Sequence, residues 1–441
     1  MKKIIALMLV MLLLTSVLLT ACSNDQKDGN QGNQQAGGQE KKLSGEISFS
    51  TWGSLDERKV NEDIIALFEA KYPGTKVNLE YIPDDYSTKI DSMFLGKMAP
   101  DVIYGHPKTL VSWASQGLLM DLTDKFNETP ELMNKEKFNT ELYEAFKYDG
   151  KYIATVNGAD TILIYYNKDL FDAANVPYPS DDWTYDDLIE AAKALTIRDD
   201  KGKPKQFGIS VYSDYQTTEA FVYANGGELF DDINNPKEVL FNSPKTVEAL
   251  KLMHDLINVH KAAPNAADNE ILGGGFDTGK IAMDINGVWS IVYRKNIEEF
   301  NWGLATVPSN DGNVKKIPAL YAGYAIAKTS KNPDLAWEFA KFMQSDEAQK
   351  LLAASGLITV INKDISQSDE VINIEGAPEN HILRVTSLEK SIHNDAMLTN
   401  WDEYITKVFD PAMQQLVNST ITAEDAAKQI HEGFDKILNN K

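Results

Sequence analysis

A buried strand in the middle of the chain constrains the fold more than any other feature. Thr161 to Tyr166 is an unbroken run of β-branched, aliphatic and aromatic residues, which turn-prone Asn167 and Asp169 close. The Gly-containing stretch 156–159 precedes it and could absorb backbone rotation as a hinge. We therefore expect the chain to cross here between two lobes. Asp160 lies at the junction, where a carboxylate can contact a ligand.

Strands and helices alternate before this run. Residues 46–52 and 77–82 alternate apolar with polar side chains, as strands do, and residues 60–72 and 86–95 have helical periodicity. A third strand follows Pro100. This alternation predicts an α/β fold with a parallel sheet, in which ligands bind beyond the carboxyl ends of the strands. That rule selects the loop residues Trp52, Gly53 and Ser54 after the first strand, and Tyr104 and His106 after the third.

The second half of the chain has further helix and strand signals. We expect a strand at 207–212 with a loop at 213–216 after it, and a chain that crosses back at 302–308. An amphipathic pattern predicts one helix over 334–352. Thr422 and Asp425 have the spacing of a capping box and predict the start of the last helix.

The N-terminus has the features of an export signal. Lys2 and Lys3 precede an apolar run that ends at Leu19, too short for a membrane span. The ending Leu19-Thr20-Ala21-Cys22 resembles the lipobox of bacterial lipoproteins, and this resemblance implies that Cys22 is lipidated. Residues 22–42 are polar and cannot bury a core, so we expect a flexible, lipid-anchored tether after a signal peptide at 1–21.

Charge and motifs exclude several function classes. The net charge of −22 becomes −24 once Lys2 and Lys3 are removed, and so acidic a surface repels nucleic acid and suits a neutral or cationic ligand. Gly274 to Lys280 is close to a phosphate-binding loop, but Ile281 follows where Ser or Thr is required. Cys22 is the only cysteine, and the histidines have no zinc-binding spacing. We therefore expect no cofactor, no metal and no enzymatic activity.

The order of these signals resembles the extracellular solute-binding proteins, family 1, that deliver sugars to ABC transporters. The similarity spans about residues 45–440 and rests on Tyr166–Phe171, Gly279-Lys280, Gly287-Val288-Trp289 and Ala336–Phe339. It implies a two-lobed periplasmic-binding-protein-like fold (type II, Venus-flytrap) with an interlobe hinge. We expect 43–158 plus 303–355 to form lobe 1, and 159–302 plus 356–441 to form lobe 2.

The resemblance also implies a set of ligand-binding residues. Besides the strand-end residues, it indicates the helix residue Glu57, the crossing residue Asp160, a loop before Asn225, the tryptophan of Gly-x-Trp and an aromatic-Gly segment. Two positions depart from the family: Gly105 replaces an aromatic of maltose-type members, and Thr359 replaces a proline. The full predicted set is Trp52, Gly53, Ser54, Glu57, Tyr104, His106, Asp160, Asp214, Tyr215, Gln216, Trp289, Tyr321, Gly323 and Tyr324.

The expected function is capture of a sugar or oligosaccharide and its delivery to an ABC permease by a lipid-anchored monomer. A sugar has apolar C–H faces and a rim of hydroxyls, which aromatic rings and carboxylates recognise. We expect the protein to lie on the outer face of the cytoplasmic membrane of a Gram-positive cell. The alternatives are the same fold binding a polyol or other small polar solute, an exported glycoside-processing enzyme, and a surface adhesion or sensing module. Trp52 and Trp289 could instead be core residues, and Trp401 could be either a binding residue or a core residue.

Overall fold

The computed structural model describes residues 43–393 and 398–439. The predicted signal peptide, Cys22 and the tether lie outside the described residues. Among the residues described, no helix is both long enough and apolar enough to cross a membrane.

Thirteen strands are described in this part of the chain. They are β1 (Gly45–Thr51), β2 (Thr75–Tyr81), β3 (Val102–Gly105), β4 (Lys147–Tyr148), β5 (Lys151–Tyr152), β6 (Ala154–Asn167), β7 (Ile197–Arg198), β8 (Pro204–Ile209), β9 (Ile281–Gly287), β10 (Trp302–Thr306), β11 (Ile317–Ile326), β12 (Thr359–Val360) and β13 (Ser391–His393).

Eighteen α-helices accompany them in the same ranges. They are α1 (Leu55–Lys71), α2 (Tyr86–Leu95), α3 (Pro107–Ser115), α4 (Thr123–Glu128), α5 (Lys168–Ala174), α6 (Tyr185–Ala194), α7 (Tyr215–Ala224), α8 (Pro244–Asn258), α9 (Ala266–Leu272), α10 (Ile291–Arg294), α11 (Pro333–Phe342), α12 (Asp346–Ser355), α13 (Lys363–Ser366), α14 (Asp369–Ile372), α15 (Leu383–Thr386), α16 (Trp401–Tyr404), α17 (Asp410–Val417) and α18 (Ala423–Asn439).

The main sheet is mixed and runs in the order β2-β1-β3-β11-β6-β9-β8-β7. β1 pairs in parallel with both β2 and β3, as the alternation of strands and helices predicted. The expectation of an entirely parallel sheet is wrong, because β11 is antiparallel to β3 and to β6. The α/β class is confirmed. Antiparallel strands enter because the chain returns to the sheet after building a second unit.

The crossing strand β6 joins the two halves of this sheet. Its residues 154–161 pair with β11, and its residues 162–166 pair with β9. The expected hinge stretch therefore lies inside a paired strand, and its role as a hinge stays a prediction. A Cβ on Gly158 would lie 2.4 Å from the carbonyl oxygen of Thr359, so glycine lets β12 approach β6 closely.

The return of the chain takes place through β11. Residues 302–306, where we expected the return, form β10 and pair with residues 163–167 of β6. Residues 319–325 of β11 then run beside the crossing part of β6, and residues 323–326 pair with β3. The boundaries at 158 and 303 stay predictions.

Two large hydrophobic cores lie on either side of the crossing. The first contains Phe49, Phe68 and Phe339. The second contains Phe221 and residues of the C-terminal helices. Such a pair of cores agrees with a two-lobed architecture, in which each lobe buries its own apolar surface.

Several local predictions differ from the structure at helix ends. The helix expected over 334–352 is two helices, α11 and α12, because the side chain of Ser345 caps the second by accepting a hydrogen bond from the Ala348 amide. The strand expected at 207–212 is β8, which lies three residues earlier. The loop expected at 213–216 is replaced from Tyr215 by the first turn of α7, which Asp214 caps. The capping box of Thr422 and Asp425 before α18 is confirmed.

Candidate functional site

A cavity of about 350 Å³ lies where β1, β3, β6 and β11 meet the turn after β9. This volume is in the range of small-molecule sites. Its wall combines aromatic rings, two carboxylates and backbone groups. The lining residues are Trp52, Gly53, Ser54, Glu57, Pro83, Tyr104, His106, Asp160, Gln216, Trp289, Tyr293, Leu320, Tyr321, Ala322, Leu357 and Ile358.

Trp52 is the centre of an aromatic cluster on one side of the cavity. Its ring centroid lies 4.4 Å from that of Tyr104, 5.0 Å from that of His106 and 4.8 Å from that of Tyr86. The Nδ1 atom of His106 lies 2.8 Å from the carbonyl oxygen of Tyr321, which ties this cluster to β11. Since the strand ends hold these rings at fixed positions, the cluster offers a preformed apolar surface.

Trp289 is a second tryptophan that lines the cavity. It follows β9 in a short turn, is partly buried, and packs against both cores. A Cβ on Gly287 would lie 2.1 Å from the indole ring, so the ring lies across the backbone at a position where only glycine fits. Tyr293 donates a hydrogen bond of 2.8 Å to Ser290, which fixes the phenol beside the indole. Aromatic rings from the end of β1 and from the turn after β9 thus both line the cavity.

Glu57 is one of the two carboxylates of the cavity. It belongs to the capping box of α1: the Ser54 amide donates to Glu57 Oε1 at 3.1 Å, and the Glu57 amide donates to Ser54 Oγ at 3.2 Å. Burial raises the pKa of Glu57 above its ordinary value, against the hydrogen bonds from Ser54. The helix cap accounts for the position of this side chain, and one carboxylate oxygen remains for a ligand.

Asp160 is the second carboxylate and is only 4% exposed. Its Oδ1 atom accepts a hydrogen bond of 3.0 Å from the Thr359 amide in β12. A proline at position 359 would lack this donor. Burial raises the pKa of Asp160 to about 7, while the Thr359 hydrogen bond and the charge of Arg384 oppose the rise. A carboxyl group with that pKa changes its charge near neutral pH.

Most of the predicted site residues lie together around this cavity. Trp52, Gly53, Ser54, Glu57, Tyr104, His106, Asp160, Gln216, Trp289 and Tyr321 all line it. Their role in binding a ligand stays a prediction, but sequence reasoning placed them near one another correctly.

Four predicted residues do not line the cavity. Asp214 caps α7 through hydrogen bonds from Thr217, and Tyr215 is buried, with its ring 4.8 Å from that of Trp401 in the second core. Tyr324 is 1% exposed in the first core, and its neighbour Gly323 pairs with β6.

Sequence reasoning missed six lining residues: Pro83, Tyr293, Leu320, Ala322, Leu357 and Ile358. Leu357 and Ile358 come from the segment before β12, which reaches the site only because β12 pairs with β6. Leu320 and Ala322 flank Tyr321 in β11 and could have been found from it. Among the described residues, no group of three or more His, Cys, Asp or Glu side chains could hold a metal ion.

Comparisons with known proteins give a consistent result. Residues 52–350 match the family model for bacterial extracellular solute-binding proteins. The maltotriose-binding protein of Pyrococcus abyssi is 25% identical over 320 residues, which are 71% of this chain and 66% of that protein. The arabinooligosaccharide-binding protein of Bacillus subtilis is 24% identical over 367 residues, which are 80% of this chain and 79% of that protein.

A solved structure is similar over nearly the whole described chain. It is an ABC substrate-binding protein from Listeria monocytogenes in complex with cycloalternan, with a TM-score of 0.80 and 28% sequence identity. The similarity covers 90% of this chain and 99% of that one.

Proposed function

The chain belongs to the bacterial extracellular solute-binding proteins, and from that membership we propose that it is the sugar-binding subunit of an ABC importer. The family is extracellular, and the relatives and structural neighbours are binding proteins rather than enzymes. The observation that carries the proposal is the cavity between the two cores, which combines aromatic faces with carboxylates.

The chemistry of the cavity fits a sugar. Trp52 and Trp289 offer flat apolar surfaces to the C–H faces of a ring, and Glu57 and Asp160 offer acceptors to its hydroxyls. The two relatives bind maltotriose and arabinooligosaccharide, and the Listeria structure holds cycloalternan. A short neutral oligosaccharide is therefore the ligand class we propose.

The charge of the cavity lining narrows the class of ligand further. The cavity lining contains Glu57 and Asp160 but neither lysine nor arginine. An anionic ligand would meet two carboxylates without a facing cation, at a cost that low local dielectric increases. Sugar phosphates and uronic acids are therefore disfavoured relative to neutral sugars, whereas a small neutral polyol remains compatible.

The transport role follows from the two-lobed fold. Ligand that contacts both lobes favours the closed state, which a permease can recognise. We propose that the protein acts as a monomer, carries lipid on Cys22, and works on the outer face of the cytoplasmic membrane of a Gram-positive cell. The lipobox and the polar tether in the sequence support the anchor. We propose that it performs no chemistry on its ligand.

A thermal-shift screen tests the proposal. The purified protein is scanned with cycloalternan, maltotriose, arabinotriose, glucuronic acid and sorbitol. A ligand at a hundred times its dissociation constant stabilises the folded state by about 2.7 kcal/mol. We expect a shift with at least one neutral oligosaccharide, and recovery of that sugar uncut after prolonged incubation. Stabilisation by sorbitol alone would move the proposal to a polyol, and cleavage of the sugar would indicate an enzyme.

Trp289→Ala tests the cavity directly. We expect binding of the identified sugar to weaken by about 1–3 kcal/mol, because the indole is the main apolar surface on its side. Trp183→Ala is the matched control, since Trp183 is partly buried against the second core but does not line the cavity. Isothermal titration calorimetry should show unchanged affinity for the control; equal losses in both variants would argue against stacking on Trp289.

A further inference from the structure

Arg384 is a buried arginine that the site described above does not yet explain. It lies in α15 with its side chain fully buried. Its Nη2 atom donates a hydrogen bond of 3.0 Å to the carbonyl oxygen of Ala353, whereas Nε and Nη1 have no partner among the described residues. A buried guanidinium with so few partners is costly, so the chain retains it against a stability disadvantage.

Hydrogen bonds connect the segment of Arg384 to the cavity residue Asp160. Thr359 links it to the site: the Thr359 amide donates to Asp160, and the Thr359 hydroxyl donates to the carbonyl oxygen of Arg384. Ser387, one turn further on, shares a hydrogen bond of 2.7 Å with Thr161 in β6. The segment 383–390 is therefore fixed to the crossing strand on both sides of Asp160.

Charge connects the arginine to the carboxylate. Burial raises the pKa of Asp160 and lowers the pKa of Arg384 to about 10, and the attraction between the two charges opposes both shifts. The two side chains form no direct ion pair in the described part of the chain, where Nη2 of Arg384 donates to the Ala353 carbonyl oxygen instead, so their attraction acts over a longer distance in the low-dielectric interior. With Oδ1 accepting from the Thr359 amide, Asp160 keeps Oδ2 for a ligand donor.

Several other titratable groups lie around Asp160 and Arg384. Glu57 and Tyr104 face Asp160 from α1 and β3, and Tyr165 follows it in β6. His106 and Tyr293 line the same cavity. Lys295 is the further cation near Arg384, and its ammonium donates a hydrogen bond of 2.9 Å to the Ser355 carbonyl oxygen. Of these groups, Arg384 is the cation that acts on Asp160.

We propose that Arg384 is a positioning residue of the sugar site, whose buried charge, held next to Thr359, favours the ionised form of Asp160 as a hydrogen-bond acceptor for a ligand hydroxyl. This inference rests on the proposed function for the ligand, but the electrostatic role of Arg384 is independent of it. Loss of the positive charge would shift Asp160 further towards its protonated form at neutral pH. A protonated carboxyl group would then donate where the site needs an acceptor.

Titration of the carboxyl carbon of Asp160 by ¹³C NMR tests this role without any ligand. Arg384→Met should raise the pKa of Asp160 by about one pH unit or more, because it removes the opposing charge. Arg384→Lys should restore most of the wild-type titration. Lys295→Met is the matched control and should leave it unchanged. If Arg384→Met does not fold, Arg384→Gln keeps a donor for the Ala353 carbonyl and replaces it. An unchanged pKa in the neutral variant would overturn the inference.

Calorimetry between about pH 5.5 and pH 9 tests the consequence for binding, with cycloalternan, maltotriose and arabinotriose as probes. We expect Arg384→Met to bind roughly tenfold more weakly than wild type near pH 7 and to approach it near pH 9, where Asp160 is ionised in both. A loss of affinity that is equal at every pH would show a structural role and overturn the inference. If wild type binds none of the three sugars, the proposed function is wrong, and the carboxyl titration still decides the role of Arg384.

Discussion

Two buried arginine-carboxylate regions of this protein differ in how completely they are hydrogen-bonded. Arg294 donates to Asp284 and, at 2.8 Å, to Asp277. Arg384 has no carboxylate in direct contact among the residues that the structure describes, and it acts on Asp160 from a distance. The pKa of Asp284 is lowered, whereas that of Asp160 is raised to about 7. The pKa values of two aspartates in similar apolar strands are therefore shifted in opposite directions.

The number of donors explains this difference. Besides Arg294, Asp284 accepts hydrogen bonds from Ser210 and, at 3.0 Å, from the hydroxyl of Tyr212. The guanidinium of Arg294 also lies over the ring of Tyr165, 4.3 Å from its centroid. These contacts outweigh the cost of burial for Asp284. A fully hydrogen-bonded carboxylate stabilises the fold, whereas a partly hydrogen-bonded one at a cavity wall is available to a ligand.

The largest expected effect on stability comes from removing one partner of the fully hydrogen-bonded pair of Arg294 and Asp284. Asp284→Asn should lower the free energy of unfolding by about 3–5 kcal/mol, because Arg294 is then buried without its main counter-charge. Urea unfolding near pH 7 measures it. Asp277→Asn is the control: its side chain is 50% exposed, so we expect a loss of at most about 1 kcal/mol. Equal losses in the two variants would mean that burial of the pair does not matter.

Asp160→Asn, unlike Asp284→Asn, should weaken ligand binding without lowering the free energy of unfolding. The amide keeps the acceptor for Thr359 but loses the charge, so we expect binding of the identified sugar to weaken by about 1.5–3 kcal/mol. The free energy of unfolding near pH 7 should stay the same or rise, because no buried charge remains at this position. Calorimetry and urea unfolding measure the two quantities. A fall in stability with unchanged affinity would make Asp160 a structural residue like Asp284.

The sequence predicted the strands and much of the cavity, but not this contrast. Local signals sufficed where the determinant is local: the Gly-x-Trp segment at 287–289, the capping box of Thr422 and Asp425, and the strand end that carries Trp52. The state of Asp160 depends on Thr359 and on a far more distant arginine, neither of which a local pattern connects to it.

The same limit explains the residues that were misplaced. Tyr215 has the flanking polar residues of a loop, yet Asp214 begins a helix there and turns the ring into the second core. For β11 the sequence predicts only a short strand at 325–327, because the role of β11 as the returning strand depends on pairing with β6 rather than on its own sequence. Long-range strand pairing is what the chain pattern alone does not specify.

The smallest expected effect is a difference in pH dependence, and it tests the comparison most specifically. The folded-state pKa of Asp160 is about 7, above the ordinary value of 3.8, so the folded protein binds this proton more tightly than the unfolded chain. The stability that the group contributes is therefore present at acid pH and lost as the pH rises towards 7. For Asp284 the pKa is lowered, so its contribution to stability is present above the ordinary pKa of an aspartate and is lost only on acidification below that value.

Between about pH 5.5 and pH 7, wild type should lose about 1–2 kcal/mol more stability than Asp160→Asn, as urea unfolding at both pH values would show. Glu57 also has a raised pKa and changes stability in the same direction in both proteins, and its Coulomb coupling to Asp160 is part of the difference that the comparison measures. Parallel pH profiles for the two proteins would mean that Asp160 is already ionised throughout this range, and that its environment resembles that of Asp284.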